Sequence, residues 1–221
     1  LFYAPILSAK EDRSCATCHH PDLGFSDGRA LAAGAHGEAL RRNAPSLWNV
    51  AYATSLFWDG RAKTLEEQML LPLTAENEMG ANVDDLLAQL ADIPEYTRRF
   101  DDAFSDGLTL ANVTAAIAAF ERTLISENSP FDRFAAGDFN ALTPAQRRGF
   151  DVFRSAQTRC FECHSWPTFT NNQFAVLGVP DTDPANPDLG QIETRNAPDA
   201  ARAFRTPGLR NVALSAPYMH N

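Results

Sequence analysis

The chain has 221 residues, 44% of them hydrophobic, with 28 acidic against 19 basic side chains and a net charge of −9. That is enough apolar material for two small domains, each with its own core. The acidic balance argues against nucleic acid or an anionic membrane surface as a partner, and no run approaches the ~20 apolar residues of a membrane-spanning helix.

In chain order, the first signal is Cys15-Ala16-Thr17-Cys18-His19, a C-x-x-C-H motif. This is the attachment motif for a c-type haem: two thiols add across the haem vinyl groups and the adjacent histidine ligates the iron. A helix is predicted over Leu65–Leu71, with Thr64 as its N-cap and Glu66-Glu67 in the first turn. Val83–Leu90 and Pro94–Phe104 also read as helical. The strongest helix is Thr109–Ile125, where Leu110, Val113, Ile117, Phe120 and Leu124 recur at helical spacing. A hinge is predicted at Asn128–Ala141, where Ser129-Pro130 and Gly137-Asp138 break the periodicity. Thr143-Pro144 opens another helix running to about Ser155. A second motif, Cys160-Phe161-Glu162-Cys163-His164, follows. The Pro/Asp/Asn-rich stretch Val179–Ala201 reads as a loop, and no segment shows a persuasive two-residue alternation.

The two motifs use all four cysteines. A shared zinc site would have to join motifs 145 residues apart and would leave both histidines unexplained. The expected cofactors are therefore two covalently bound c-type haems, with His19 and His164 as iron ligands. Covalent haem is attached outside the cytoplasm, so an exported, periplasmic protein is expected. No signal peptide is present, so the 221 residues are expected to be a mature or trimmed form.

The chain also repeats itself. Phe25-Ser26-Asp27 after the first motif matches Phe169-Thr170-Asn171 after the second. Asn43-Ala44-Pro45-Ser46-Leu47-Trp48-Asn49-Val50-Ala51 aligns with Arg205-Thr206-Pro207-Gly208-Leu209-Arg210-Asn211-Val212-Ala213, with five of nine positions identical. Phe57-Trp58-Asp59 then falls opposite Met219-His220-Asn221. The expected fold is all-α: two cytochrome c-like haem domains related by internal duplication, with long loops, over residues 1–136 and 137–221. By the repeat, the second domain is expected to be truncated at its C-terminal end, with its distal iron ligand beyond Asn221. Met219 and His220, aligned with Phe57 and Trp58, are read as interdomain residues and not as that ligand.

With these residues in hand, the chain resembles the bacterial di-haem cytochrome c peroxidase superfamily, including MauG-like enzymes. The resemblance rests on Leu1-Phe2-Tyr3, Ser14-Cys15-Ala16-Thr17-Cys18-His19, Gly24-Phe25-Ser26-Asp27-Gly28, Arg42-Asn43-Ala44-Pro45, Phe57-Trp58-Asp59-Gly60-Arg61-Ala62, Leu65-Glu66-Glu67-Gln68, Glu78-Met79 and Leu209-Arg210-Asn211 with Pro217-Tyr218-Met219-His220. It implies an N-terminal haem that reacts with hydrogen peroxide and a C-terminal haem that handles electrons. It puts Glu78 and Gln68 over the open face of the first haem, where a carboxylate can move the peroxide proton as base and then acid. It makes Trp58 the electron relay between the haems, leaving Trp48 and Trp166 as core residues. His36, in Gly34-Ala35-His36-Gly37, is a candidate distal ligand that gates the first haem; MauG-like members lack one. His20 reads as an exposed loop histidine. Asn43, with the backbone carbonyls of Ser215 and Pro217, matches the family's calcium site.

Three functions follow. The first is reduction of peroxide to water with electrons from a small cytochrome c or cupredoxin. The second is MauG-like, peroxide-dependent oxidation of a residue on a partner protein. The third is a di-haem electron carrier without catalysis. Homodimers are common in the family, which leaves that assembly open.

Overall fold

Most helix starts are set by local hydrogen bonds. In the computed structural model, which describes residues 1–195 and 198–221, Thr64 opens α2 (Leu65–Thr74): its hydroxyl accepts from the Glu67 N–H while the Glu67 carboxylate accepts from the Thr64 N–H. Asn82 caps α3 (Val83–Ala91), Pro94 opens α4 (Pro94–Ala103) and Thr109 caps α5 (Leu110–Arg122). Thr143 and Gln146 form a capping box at α7 (Pro144–Phe153). Each C-x-x-C segment is itself a single helical turn, α1 (Cys15–Cys18) and α8 (Cys160–Cys163).

Three details differ from the sequence expectation. α2 continues through Pro72 to Thr74, three residues past Leu71; its inner face, Leu65, Met69 and Leu73, is buried, and that packing outweighs the lost Pro72 donor. The predicted hinge contains a helix, α6 (Pro130–Ala135), whose Ser129–Asp132 capping box and Pro at the first position are start signals and not breaks. The fold is helix-rich but not wholly so: β1 (Phe174–Ala175) pairs antiparallel with β2 (Phe204–Arg205). Two-residue strands are too short for any alternation to register. Within the loop read at Val179–Ala201, short 3-10 turns lie at Gln191–Glu193 and Pro198–Ala200, and residues 196–197 fall outside the described residues.

The main core joins α2, α3, α4 and α5 through Met69, Leu73, Leu86, Leu90, Phe100, Val113 and Ile117, each at most 4% exposed. Its members all precede residue 125. Residues 137–221 bury few large apolar groups, and Phe139, Val152, Trp166 and Leu177 are more than half exposed. Trp166 is therefore not the core residue that the sequence implied.

Local geometry recurs between the two aligned stretches. Phe25 and Phe169, Asn49 and Asn211, and Phe57 and Met219 all have left-handed backbone. Val50–Tyr52 and Val212–Leu214 are both 3-10 turns. The Ser26 hydroxyl donates to Ala44 O at 2.7 Å, and the Thr170 hydroxyl to Thr206 O at 2.7 Å. The aligned stretches also exchange backbone bonds: Asn43 N–H donates to His220 O at 2.9 Å, and Arg205 N–H to Trp58 O at 2.8 Å.

A buried ion cluster ties Arg42 to both Asp59 and Asp188. Arg42 Nε lies 2.6 Å from Asp188 Oδ2, and the two carboxylates are 5% and 6% exposed. Among the described residues, no helix is long and apolar enough to cross a membrane.

Candidate haem sites

In each motif the helical turn puts the histidine at its C-cap and both sulfurs at its ends. The His19 Nδ1 lies 2.9 Å from Phe25 O, and the His164 Nδ1 lies 3.0 Å from Phe169 O. A carbonyl only accepts, so Nδ1 carries the hydrogen in both rings and Nε2 presents its lone pair. Loss of water around the ring pushes the His19 pKa below the ordinary histidine value, which keeps it neutral. Both imidazoles are thus oriented and protonated as iron ligands must be. All four cysteines are free thiols.

The first motif opens on a cavity of about 70 Å³ lined by Cys15, Cys18, His19, Gln68, Glu78 and Glu121, with Arg13 at its wall. The structure therefore brings Gln68 and Glu78 to the histidine that sequence reasoning paired with them. Burial raises the Glu78 pKa, opposed by the Arg61 guanidinium. Glu121 was not anticipated: it lies at the end of α5, 4% exposed, with Oε2 buried and without a hydrogen-bond partner among the described residues. Burial pushes its pKa up to about 7, the Arg122 charge opposing and Glu66 reinforcing. Loss of water, reinforced by the Glu121 charge, pushes the nearby Cys15 thiol up to about 12. No sequence signal marked Glu121, because a glutamate near a helix end ordinarily faces water.

His36 lies on an exposed loop and outside this cavity. Its own N–H donates to the Glu38 carboxylate, and the loop is held through Arg13 to Ala35 O and Ala35 N–H to Asn77 O. His20 is exposed, as expected.

The second motif opens on a larger cavity of about 470 Å³, lined by Cys160, Cys163, His164, Trp58, Trp48 and Arg205 among others. Trp58 is buried and its indole N–H donates to Asn43 O at 2.9 Å. The His220 ring stacks on Phe204 at 3.5 Å and meets Trp58 edge-on at 6.3 Å. Trp48, expected to be ordinary core, instead lines this cavity while packing edge-on against Phe25, whose carbonyl holds His19; its indole N–H has no partner among the described residues.

Asn43, Ser215 and Pro217 line the same cavity. The Asn43 amide donates to Arg29 O at 2.6 Å, which turns its oxygen away from that bond. Among the described residues, no group of three or more His, Cys, Asp or Glu could hold a metal ion; a cation here would rest on amide and backbone oxygens.

Both sites carry the donor set of a covalently attached macrocycle. Each supplies two thiols and a free imidazole Nε2. The second adds Arg205, half-buried, whose guanidinium makes one hydrogen bond among the described residues, Nε to Phe57 O at 3.3 Å. Its other donors are left for an acidic substituent such as a haem propionate.

These are two candidate c-type haem sites on one helix-rich chain. Residues 1–140 match the di-haem cytochrome c peroxidase family, and the chain belongs to that family. It is 39% identical, over its whole length, to the methylamine utilization protein MauG of Methylophilus methylotrophus, and covers 66% of that protein. It is 37% identical to the cytochrome c peroxidase Ccp of Escherichia coli K12, again along its whole length, and covers 48% of it. The chain thus spans two thirds or less of these curated relatives. A crystal structure of a MauG-like protein associated with microbial copper homeostasis superposes with a TM-score of 0.88 at 34% identity, covering 100% of this chain and 69% of that one.

Proposed function

We propose that the chain forms the two-haem body of a periplasmic peroxidase that reduces hydrogen peroxide to water with electrons from a small cytochrome c or cupredoxin. The observation that carries this is the first cavity, where Gln68 and Glu78 line the same space as Cys15, Cys18 and His19. A haem held there supplies an iron that binds peroxide and the electrons that break its O–O bond. The protein's part is proton handling. The Glu78 carboxylate accepts the proton from the inner peroxide oxygen and returns it to the outer one as water leaves. Its raised pKa suits it to both steps. The Gln68 amide can donate to the peroxide and hold it against Glu78. Trp58, buried at the wall of the second cavity and bonded to Asn43 O, is the electron relay.

The reading includes an ancient duplication, with domains at 1–136 and 137–221. The recurring left-handed residues, 3-10 turns and exchanged backbone bonds support it. It also includes a calcium ion at Asn43, Ser215 and Pro217. Neither of the two carbonyls accepts a hydrogen bond among the described residues, which favours that use.

A second reading is MauG-like oxidation of a residue on a partner protein. The exposed position of His36, outside the first cavity, favours it, because an ungated iron reacts in the diferric state. Rapid-mixing absorbance spectroscopy with stoichiometric peroxide separates the readings. Reaction only after one-electron reduction, abolished as a requirement by His36→Ala, establishes the gated peroxidase. Immediate reaction of the diferric protein, unchanged by His36→Ala, establishes the second. No reaction in either state leaves only an electron carrier.

A further inference from the structure

The first cavity holds two carboxyl groups, and only Glu78 has work in the reaction described above. Glu121 is the more secluded of them. It enters from the last turn of α5 and lies on the Cys15 side of the cavity, where its charge acts on that sulfur; Glu78 acts on Cys18. It is 4% exposed, and Oε2 is buried without a hydrogen-bond donor among the described residues. A buried carboxylate without partners is costly, so its protonation follows the local field. The groups that set that field are few. On its own helix, Arg122 is paired with Glu66 of α2 at 2.8 Å. Across the cavity stand Cys15, Cys18, His19, Arg13 and Glu78, of which both cysteines lose their titration once they are thioethers. Arg13 is paired with Asp12 and bonded to Ala35 O. The remaining variable is the charge of the iron that His19 would hold.

We propose that Glu121 is the proton store of the first haem: its carboxyl takes up a proton when that haem gains an electron and releases it when the electron leaves. This rests on the assignment of a haem to Cys15, Cys18 and His19. In the reducing direction one electron from a one-electron donor converts ferric to ferrous iron, and one proton from solvent binds the carboxylate. The cavity's net charge is unchanged, so reduction avoids leaving an uncompensated charge in a dry site. In reverse, oxidation of the iron expels the proton. The near-neutral titration of Glu121 agrees with this role, since the group must lie within reach of both states at working pH.

The test is a spectroelectrochemical titration of the full-length, haem-loaded protein at pH 5 to 9, with dithionite and mediators, each haem followed by its own spectrum. A one-electron, one-proton couple shifts by about 59 mV for each tenfold change in proton concentration. The expected result is a pH-dependent potential at the first haem over the neutral range, flattened in Glu121→Gln and kept in Glu78→Gln. A pH-independent potential in the wild type, or an unaltered slope in Glu121→Gln, overturns the proposal while leaving the peroxidase reading intact. A slope lost in Glu78→Gln and not in Glu121→Gln transfers the role to Glu78 and also overturns it. Absence of haem at the first motif removes both readings. Should Glu121→Gln fail to load haem, reduced-minus-oxidised infrared spectra of the wild type decide instead: gain of a protonated-carboxyl band on reduction supports the store, and its absence overturns it.

Discussion

The two haem cavities carry the same attachment chemistry in opposite electrostatic settings. The first is narrow and holds two carboxyl groups, Glu78 and Glu121, both with raised pKa values. The second is several times larger and is lined by Arg159, Arg202, Arg205 and Arg210, with Asp188 as its one carboxylate among the described residues. Carboxyl groups whose pKa burial has raised suit a site that must move protons with electrons. Guanidinium groups stay charged at any working pH and suit a site whose charge must hold still. The difference lies in what surrounds each Cys-x-x-Cys-His turn, since the turns themselves, and the carbonyls that hold His19 and His164, are alike.

The sharpest way to break this division is to remove each iron ligand in turn. His19→Ala is expected to drop peroxide reactivity to background while the second haem still takes up electrons. His164→Ala should instead keep the peroxide reaction at the first haem and abolish delivery of donor electrons, as stopped-flow mixing would detect. Equal loss in both variants would erase the division of labour. A step smaller, Glu78→Gln keeps the cavity's shape and removes the proton carrier proposed for it, with an expected loss of roughly 10²–10⁴-fold in peroxide turnover.

Arg42→Ala probes the ion cluster and not the chemistry. It takes from Asp188 its bidentate partner and leaves Asp59 to Arg61 alone, both carboxylates nearly inaccessible, at a cost of about 3–5 kcal/mol in urea unfolding. A smaller loss would mean that water reaches the carboxylates. Last, Glu121→Gln should change stability with pH. The folded protein keeps its Glu121 proton up to about pH 7, whereas an unfolded chain releases it near 4.5. Between those values the folded state binds more protons, so wild-type stability falls as pH rises. The glutamine variant lacks that loss, and its advantage should grow to about 2–3 kcal/mol by pH 8. Urea midpoints at pH 5 and pH 8 measure it.

What could be read beforehand followed the range of the interaction. Thr64 with Glu67 and Thr143 with Gln146 are local pairs, so α2 and α7 were legible at their starts. Cys-x-x-Cys-His is local as well, and each copy forms a single helical turn with its histidine at the C-cap. α6 was lost because Ser129-Pro130 was read as a break when Asp132, two residues on, makes it a start. β1 and β2 depend on a partner about 30 residues away, and Arg42 meets Asp188 across 146 residues. Glu121 is decided wholly by burial, which no neighbour in sequence reports.

The Arg42 cluster has a further consequence for heating. Its two carboxylates and one guanidinium have already given up their water. The hydration that such groups forgo becomes less favourable as temperature rises, whereas apolar burial gains little more. The joint between Asp59 and Asp188 should therefore hold its share of stability as the protein warms.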